Sequence, residues 1–145
     1  MEQEEKELLL KDLSARLPYG VICYWRIGSE LTLNLTEYNG LLTCINKVNI
    51  EGSNEFYWDC YFDCNDSNGN SFQNEDVQID IVKPYLRPIH KLTKEELEEL
   101  EFLTDSDYVD YCNKHHIDYR NLIPKGLALE APEDMYDTNQ KWTTI

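Results

Sequence analysis

Basic residues are scarce in this chain: 13 Lys and Arg stand against 28 Asp and Glu in 145 residues, a formal net charge of −15. Such a surface repels the phosphates of nucleic acid and the headgroups of anionic membranes, which argues against direct nucleic-acid binding and for a basic partner. Long apolar runs are missing as well. No stretch approaches the ~20 apolar residues that a membrane span needs, and the opening MEQEEKELLL is acidic where a secretory signal is positive. The expected compartment is a cytoplasm. The five cysteines are odd in number and scattered, so they make no disulfide framework and read as small buried hydrophobes. The sequence also lacks a P-loop, a GxGxxG and a GxSxG, and with them the commonest signatures of nucleotide and acyl-transfer enzymes.

What is present is the composition of one folded domain, 41% hydrophobic and 12% aromatic, with ten tyrosines and three tryptophans. Leu9, Leu13 and Leu17 at four-residue spacing predict a helix over 4–17, stopped by Pro18 and Gly20. From Val21 the period becomes two. VICYWRI, LTLNL, LLTCINKV, EFYWDCYFDC and VQIDIV read as about five strands of an antiparallel meander or small barrel over 21–83, with Asn39-Gly40 as a tight turn. In the fourth segment Phe56, Trp58, Cys60, Phe62 and Cys64 share one face, while Tyr57, Asp59, Tyr61 and Asp63 share the other. Trp25, Trp58, Phe56 and Phe62 are the expected large core residues, and Val77, Ile79 and Ile81 should face inward. Pro84 and Pro88 are expected to end the sheet. A helical part follows over 92–116: Thr93 and Glu96 form a capping box for one helix, and Asp105 or Ser106 caps another. Residues 137–145 read as a loose tail. The fold class is α+β in a single domain.

Three constellations invite chemistry. DCNDSNGNSFQNE (63–75) has the acceptor spacing of a calcium loop, with Asp66, Asn68, Asn70, Gly69 and Glu75 in place but Cys64 where the first Asp belongs. A strand enters it and another leaves it, so a hairpin turn is expected, with a calcium- or metal-binding module as an alternative. Cys60, Cys64, Cys112 and His115 could be assembled into a zinc set. However, four residues of strand separate Cys60 and Cys64 by ~13 Å, too far for one ion. Cys112 beside His115, His116 and Asp118 could suggest a nucleophile, but a mid-helix thiol in an acidic chain has its pKa pushed the wrong way. No enzyme, cofactor or metal is expected.

Three stretches, LLLKDLSARLPYGV, VKPYLRPIHKLTKEELEEL and DYCNKHHIDYRNLIPKGLALEAPEDMY, resemble a widespread group of small uncharacterised proteins encoded by phages, prophages and mobile elements of Bacteroidetes. The resemblance runs from residue 8 to residue 136. It implies an N-terminal helix, a variable strand region and a helical C-terminal part, in an accessory protein of a bacterial host cytoplasm, and it brings no catalytic residues. With the charge, it leads to the expectation of a protein that binds a basic, nucleic-acid-binding host factor, such as a defence or CRISPR nuclease, through a phosphate-imitating surface. Tyr57, Asp59, Tyr61, Asp63, Asp66, Glu75, Asp76 and Asp80 are the candidate contact residues. A virion structural or assembly protein is the alternative.

Overall fold

A computed structural model describes residues 1–29, 34–65 and 68–136. The chain begins with α1 (Gln3–Arg16), whose first turn carries Glu4 and Glu5 where the helix dipole favours them. A 3-10 turn, Leu17–Tyr19, follows, and Gly20 at φ 74° releases the chain into the sheet. Six strands are described: β1 (Ile22–Ser29), β2 (Asn34–Asn49), β3 (Phe56–Asn65), β4 (Ser71–Gln78), β5 (Lys83–Leu86) and β6 (Leu129–Glu130). Their order is β4-β3-β2-β1-β5-β6. Pairing is antiparallel except for the short parallel β5–β6 contact. Between β5 and β6 lie α2 (Lys94–Glu101) and α3 (Asp105–Lys114).

The α+β architecture is as the sequence pattern predicts, but the sheet is open and six-stranded where a five-stranded meander or small barrel was expected. Asn39-Gly40 is not a turn: β2 runs straight through it, and the described hairpin turn comes later, with Gly52 at φ 82°. Gly40 serves close approach instead. A Cβ there would meet Cys64 Sγ at 2.8 Å and Phe62 Cβ at 3.0 Å. Pro84 does not end the sheet either; it lies within β5, opposite Cys23. The strand expected around VQIDIV begins earlier, at Ser71, and gives way to a 3-10 turn, Ile79–Ile81, that leaves Ile81 exposed. α3 is capped by Thr104, whose hydroxyl accepts from the Asp107 N–H, rather than by Asp105 or Ser106. The Thr93–Glu96 capping box of α2 is formed as expected. Part of the expected LTLNL strand (31–33), Asp66 and the tail 137–145 lie outside the described residues.

α1 lays Leu9 and Leu13 on one face of the sheet, the inner face, against Cys23, Trp25, Cys60 and Phe62. Trp25 is fully buried, stacked on Phe62 at 4.1 Å and on Tyr38 at 5.6 Å between ring centroids. Trp58 packs beside this core, whereas Phe56, expected with it, is 47% exposed near the far end of the β2–β3 hairpin. A second cluster joins Leu92, Leu100, Cys112 and Ile117.

A buried ionic hub fastens α1 to the chain after α3. Arg16 donates to Asp12 Oδ2 (2.9 Å) and to the carbonyls of Cys112 (3.2 Å) and Ile117 (2.6 Å), while Arg120 donates to Asp12 Oδ1 (2.8 Å). Asp12 and Arg16 are both fully buried. Nearby, the Tyr136 ring lies against His116, tilted by 33° with centroids 4.1 Å apart, and its hydroxyl meets Ile22 and the Tyr85 carbonyl. Residues 8–21, 82–100 and 110–136 therefore meet in space, at a structural joint.

Candidate acidic interface

The strand period that sends Cys60, Phe62 and Cys64 inward sends Tyr57, Asp59, Tyr61 and Asp63 to the outer face of the sheet. Register fixes their neighbours. Val48, Asn46 and Leu41 of β2 stand opposite Tyr57, Asp59 and Asp63, and Gln78 and Gln73 of β4 stand opposite Asp59 and Asp63. Between them the β3–β4 register slips, and the slip contains Asp76 at φ 57°. It turns the Asp76 side chain toward Tyr61, whose hydroxyl donates to Asp76 Oδ1 across 3.4 Å. Glu75 is exposed beside it and, with Asp76, helps raise the Tyr61 phenol, on which burial acts most.

The expected contact residues do not all share this surface. Asp59 is on the outer face but only 3% exposed, with Oδ1 lacking a hydrogen-bond partner. Burial first, and then the neighbouring Asp76 carboxylate, push its pKa upward. It is therefore a poor bearer of exposed charge. Asp80 leaves the face altogether. Ile79 dives into the core, and the turn that carries it brings Asp80 to α1, where it pairs with Lys6 at 3.0 Å. Asp66 falls outside the described residues. Tyr57, Tyr61, Asp63, Glu75 and Asp76 remain as the accessible group.

Sequence reasoning missed the other half of the surface. Tyr24 of β1 and Tyr85 of β5 meet edge-to-face at 6.5 Å. Tyr24 donates to Glu37 (3.0 Å) and Tyr85 to Asn39 (2.7 Å), so both hydroxyls are held within the sheet. Alternation in VICYWRI already separates Tyr24 from the core side of β1, but nothing local shows that Tyr85 joins the sheet beside it. Charge divides across the face. On the β1–β2 side Arg26 stands opposite Glu37, and Lys83 lies next to Tyr24. On the β3–β4 side, among the described residues, the outer positions carry Asp63, Glu75 and Asp76 and no Lys or Arg.

No protein-family model matches the chain, and no curated protein or solved structure matches it. The chemistry must be read from its own residues. The cysteines are poorly placed for it: Cys60 and Cys64 sit in the main core and Cys112 in the second cluster, so the set considered with His115 does not converge. Burial drives the Cys60 thiol to about 12 and the Cys64 thiol to about 11, and raises Cys112 too, which keeps all three protonated and unreactive near neutral pH. The segment 63–75 leaves β3 and enters β4, the strand-to-strand setting of a hairpin and not the helix-flanked setting of a calcium loop. Among the described residues no helix is long and apolar enough to cross a membrane.

Proposed function

We propose that this is a phage-type accessory protein that acts by binding another protein, with the β3–β4 half of the outer sheet face as its contact surface. The partner that fits is a basic, nucleic-acid-binding host protein, for instance a defence nuclease, met in the bacterial cytoplasm. The observation that carries this reading is the segregation on that half-face. Tyr57 and Tyr61 stand with Asp63, Glu75 and Asp76 on paired strands, without a cation among the described outer positions. Half-buried tyrosines suit an interface because they contribute area and a hydroxyl at small entropic cost. Exposed carboxylates on a rigid strand pair can occupy a groove lined by Lys and Arg, and their field speeds encounter. The phage context rests on the three resembling stretches.

Asp59 and Asp80 drop out of the contact set because one is covered and the other is paired on α1, so the phosphate-like charge falls to Asp63, Glu75 and Asp76. The test is competition. The protein is immobilised, the host protein it retains is identified, and DNA or RNA is added to the pair. Release of the partner at nucleic-acid concentrations near its own affinity for nucleic acid supports the reading. Simultaneous binding of nucleic acid and this protein overturns the phosphate-mimic part of it.

A further inference from the structure

A cleft of about 580 Å³ lies between the N-terminal half of α1 and the far end of the β2–β3 hairpin, with Tyr57 as the one residue it shares with the outer-face group. Its walls are Glu7 and Leu10 from α1, Glu55, Phe56 and Trp58 from the hairpin, and Asp80 from the turn after β4. We propose that this cleft is a second contact site, which receives an arginine or lysine side chain from a segment of a partner protein. The site does not depend on the outer-face reading.

Three observations select that occupant. First, the hairpin end leaves aromatic surface open to solvent. Phe56 is 47% exposed and stands edge-to-face with Trp58, at 6.1 Å and 90°. Second, the protein itself places a cation on one of these rings: Lys47 Nζ lies 4.2 Å from the Phe56 ring centroid. A ring system that already holds one ammonium has the electrostatics to hold another cation on its remaining surface. Third, the walls carry three carboxylates against one cation. Lys6 pairs with Asp80, but both side chains are about a third exposed or more, so an incoming guanidinium can exchange with Lys6 at small cost. Glu7 is engaged by the neutral Gln3 amide at 3.2 Å, which leaves its charge uncompensated. A lining of apolar side chains and carboxylates matches a side chain with an aliphatic stem and a charged head. The cleft's volume lies within the ~300–1,000 Å³ of sites that enclose small ligands, ample for one such side chain and its flanking backbone.

The probe is a short acetylated, amidated oligo-arginine peptide, with the citrulline peptide of equal length as its uncharged isostere. Titration is followed through the indole N–H resonance of Trp58. The expected result is a saturable shift with the arginine peptide and none with the citrulline peptide. The affinity should fall roughly fivefold or more in Glu7→Gln/Glu55→Gln, two exposed substitutions that leave the core untouched. It should be retained in the outer-face variant Asp63→Lys/Glu75→Lys, which separates this cleft from the surface proposed above. An unmoved Trp58 resonance, an equal response to citrulline, or loss of binding only in the outer-face variant would each overturn the assignment.

Discussion

Replacing Arg16 by Met tests how the two ends of this protein are held together. The guanidinium is fully buried and makes three described hydrogen bonds: one to Asp12 and two to the carbonyls of Cys112 and Ile117. Met fills much of the volume and keeps helix propensity, so the change isolates the polar contacts. Asp12 then keeps only Arg120, and the Cys112 and Ile117 carbonyls fall back on one backbone donor each, the N–H groups of Ile117 and Tyr119. Losing a hydrogen bond from a charged donor costs about 1.5–3 kcal/mol, and breaking a buried ion pair by removing one member costs about 3–5 kcal/mol. The effects overlap, so the expected loss is about 3–5 kcal/mol, a large share of the ~5–15 kcal/mol typical of a domain. Urea unfolding at neutral pH should show a lower midpoint with an unchanged slope. Native-state hydrogen exchange should locate the loss, with amides of α1 and of residues 112–122 losing protection together. A loss below about 1 kcal/mol, or loss of protection confined to α1, would refute the claim that this hub joins the two ends.

Three further outcomes follow from individual sites. His116 is buried, and desolvation together with Arg16 lowers its pKa from 6.5 to about 3. The unfolded chain therefore binds the proton first, and the stability present above pH 6.5 is lost as pH falls toward 3. His116→Asn, which tolerates the φ of 57°, should flatten that slope in pH-dependent melting, whereas an unchanged slope would show that other groups dominate. Asp59 shifts the opposite way, from 3.8 upward, so its ionised form is disfavoured in the fold at neutral pH. Asp59→Asn should melt at an equal or higher temperature at neutral pH and lose any advantage in acid; a clear destabilisation at neutral pH would show that the carboxylate is needed. Gly40→Ala should destabilise by about 1–3 kcal/mol in urea unfolding, because its Cβ overlaps Cys64 Sγ, and a neutral result would mean that β3 yields without strain.

Periodicity made much of the fold legible. The alternation of EFYWDCYFDC is enough to place Cys60, Phe62 and Cys64 inward, and the Thr93–Glu96 pair marks the start of α2. Local signals failed where a distant contact decides. Asn39-Gly40 reads as a turn by composition, yet the glycine is required by Cys64 on the neighbouring strand. Asp12 and Arg16 are four residues apart and look like a solvent-facing helix pair; only Arg120 and the carbonyls of Cys112 and Ile117 explain their burial. The accessible acidic group was half legible for the same reason. Alternation predicts the face of Asp59, but not that it is buried there. The turn that takes Asp80 to Lys6 follows from Ile79 entering the core and not from any local break signal.

The central claim is that exposed carboxylates of the β3–β4 half-face carry binding, and affinity for the isolated partner tests it most directly. Wild type is compared with Asp63→Lys/Glu75→Lys/Asp76→Asn, which changes outer positions and avoids lysine at the φ of 57°. Salt is raised from about 0.1 to 1 M, which shortens the Debye length from ~10 to ~3 Å. The account predicts wild-type association that slows steeply with salt, and a variant that folds normally but binds about tenfold or more weakly at low salt. Equal affinities for the two proteins, with no dependence on salt, would contradict it.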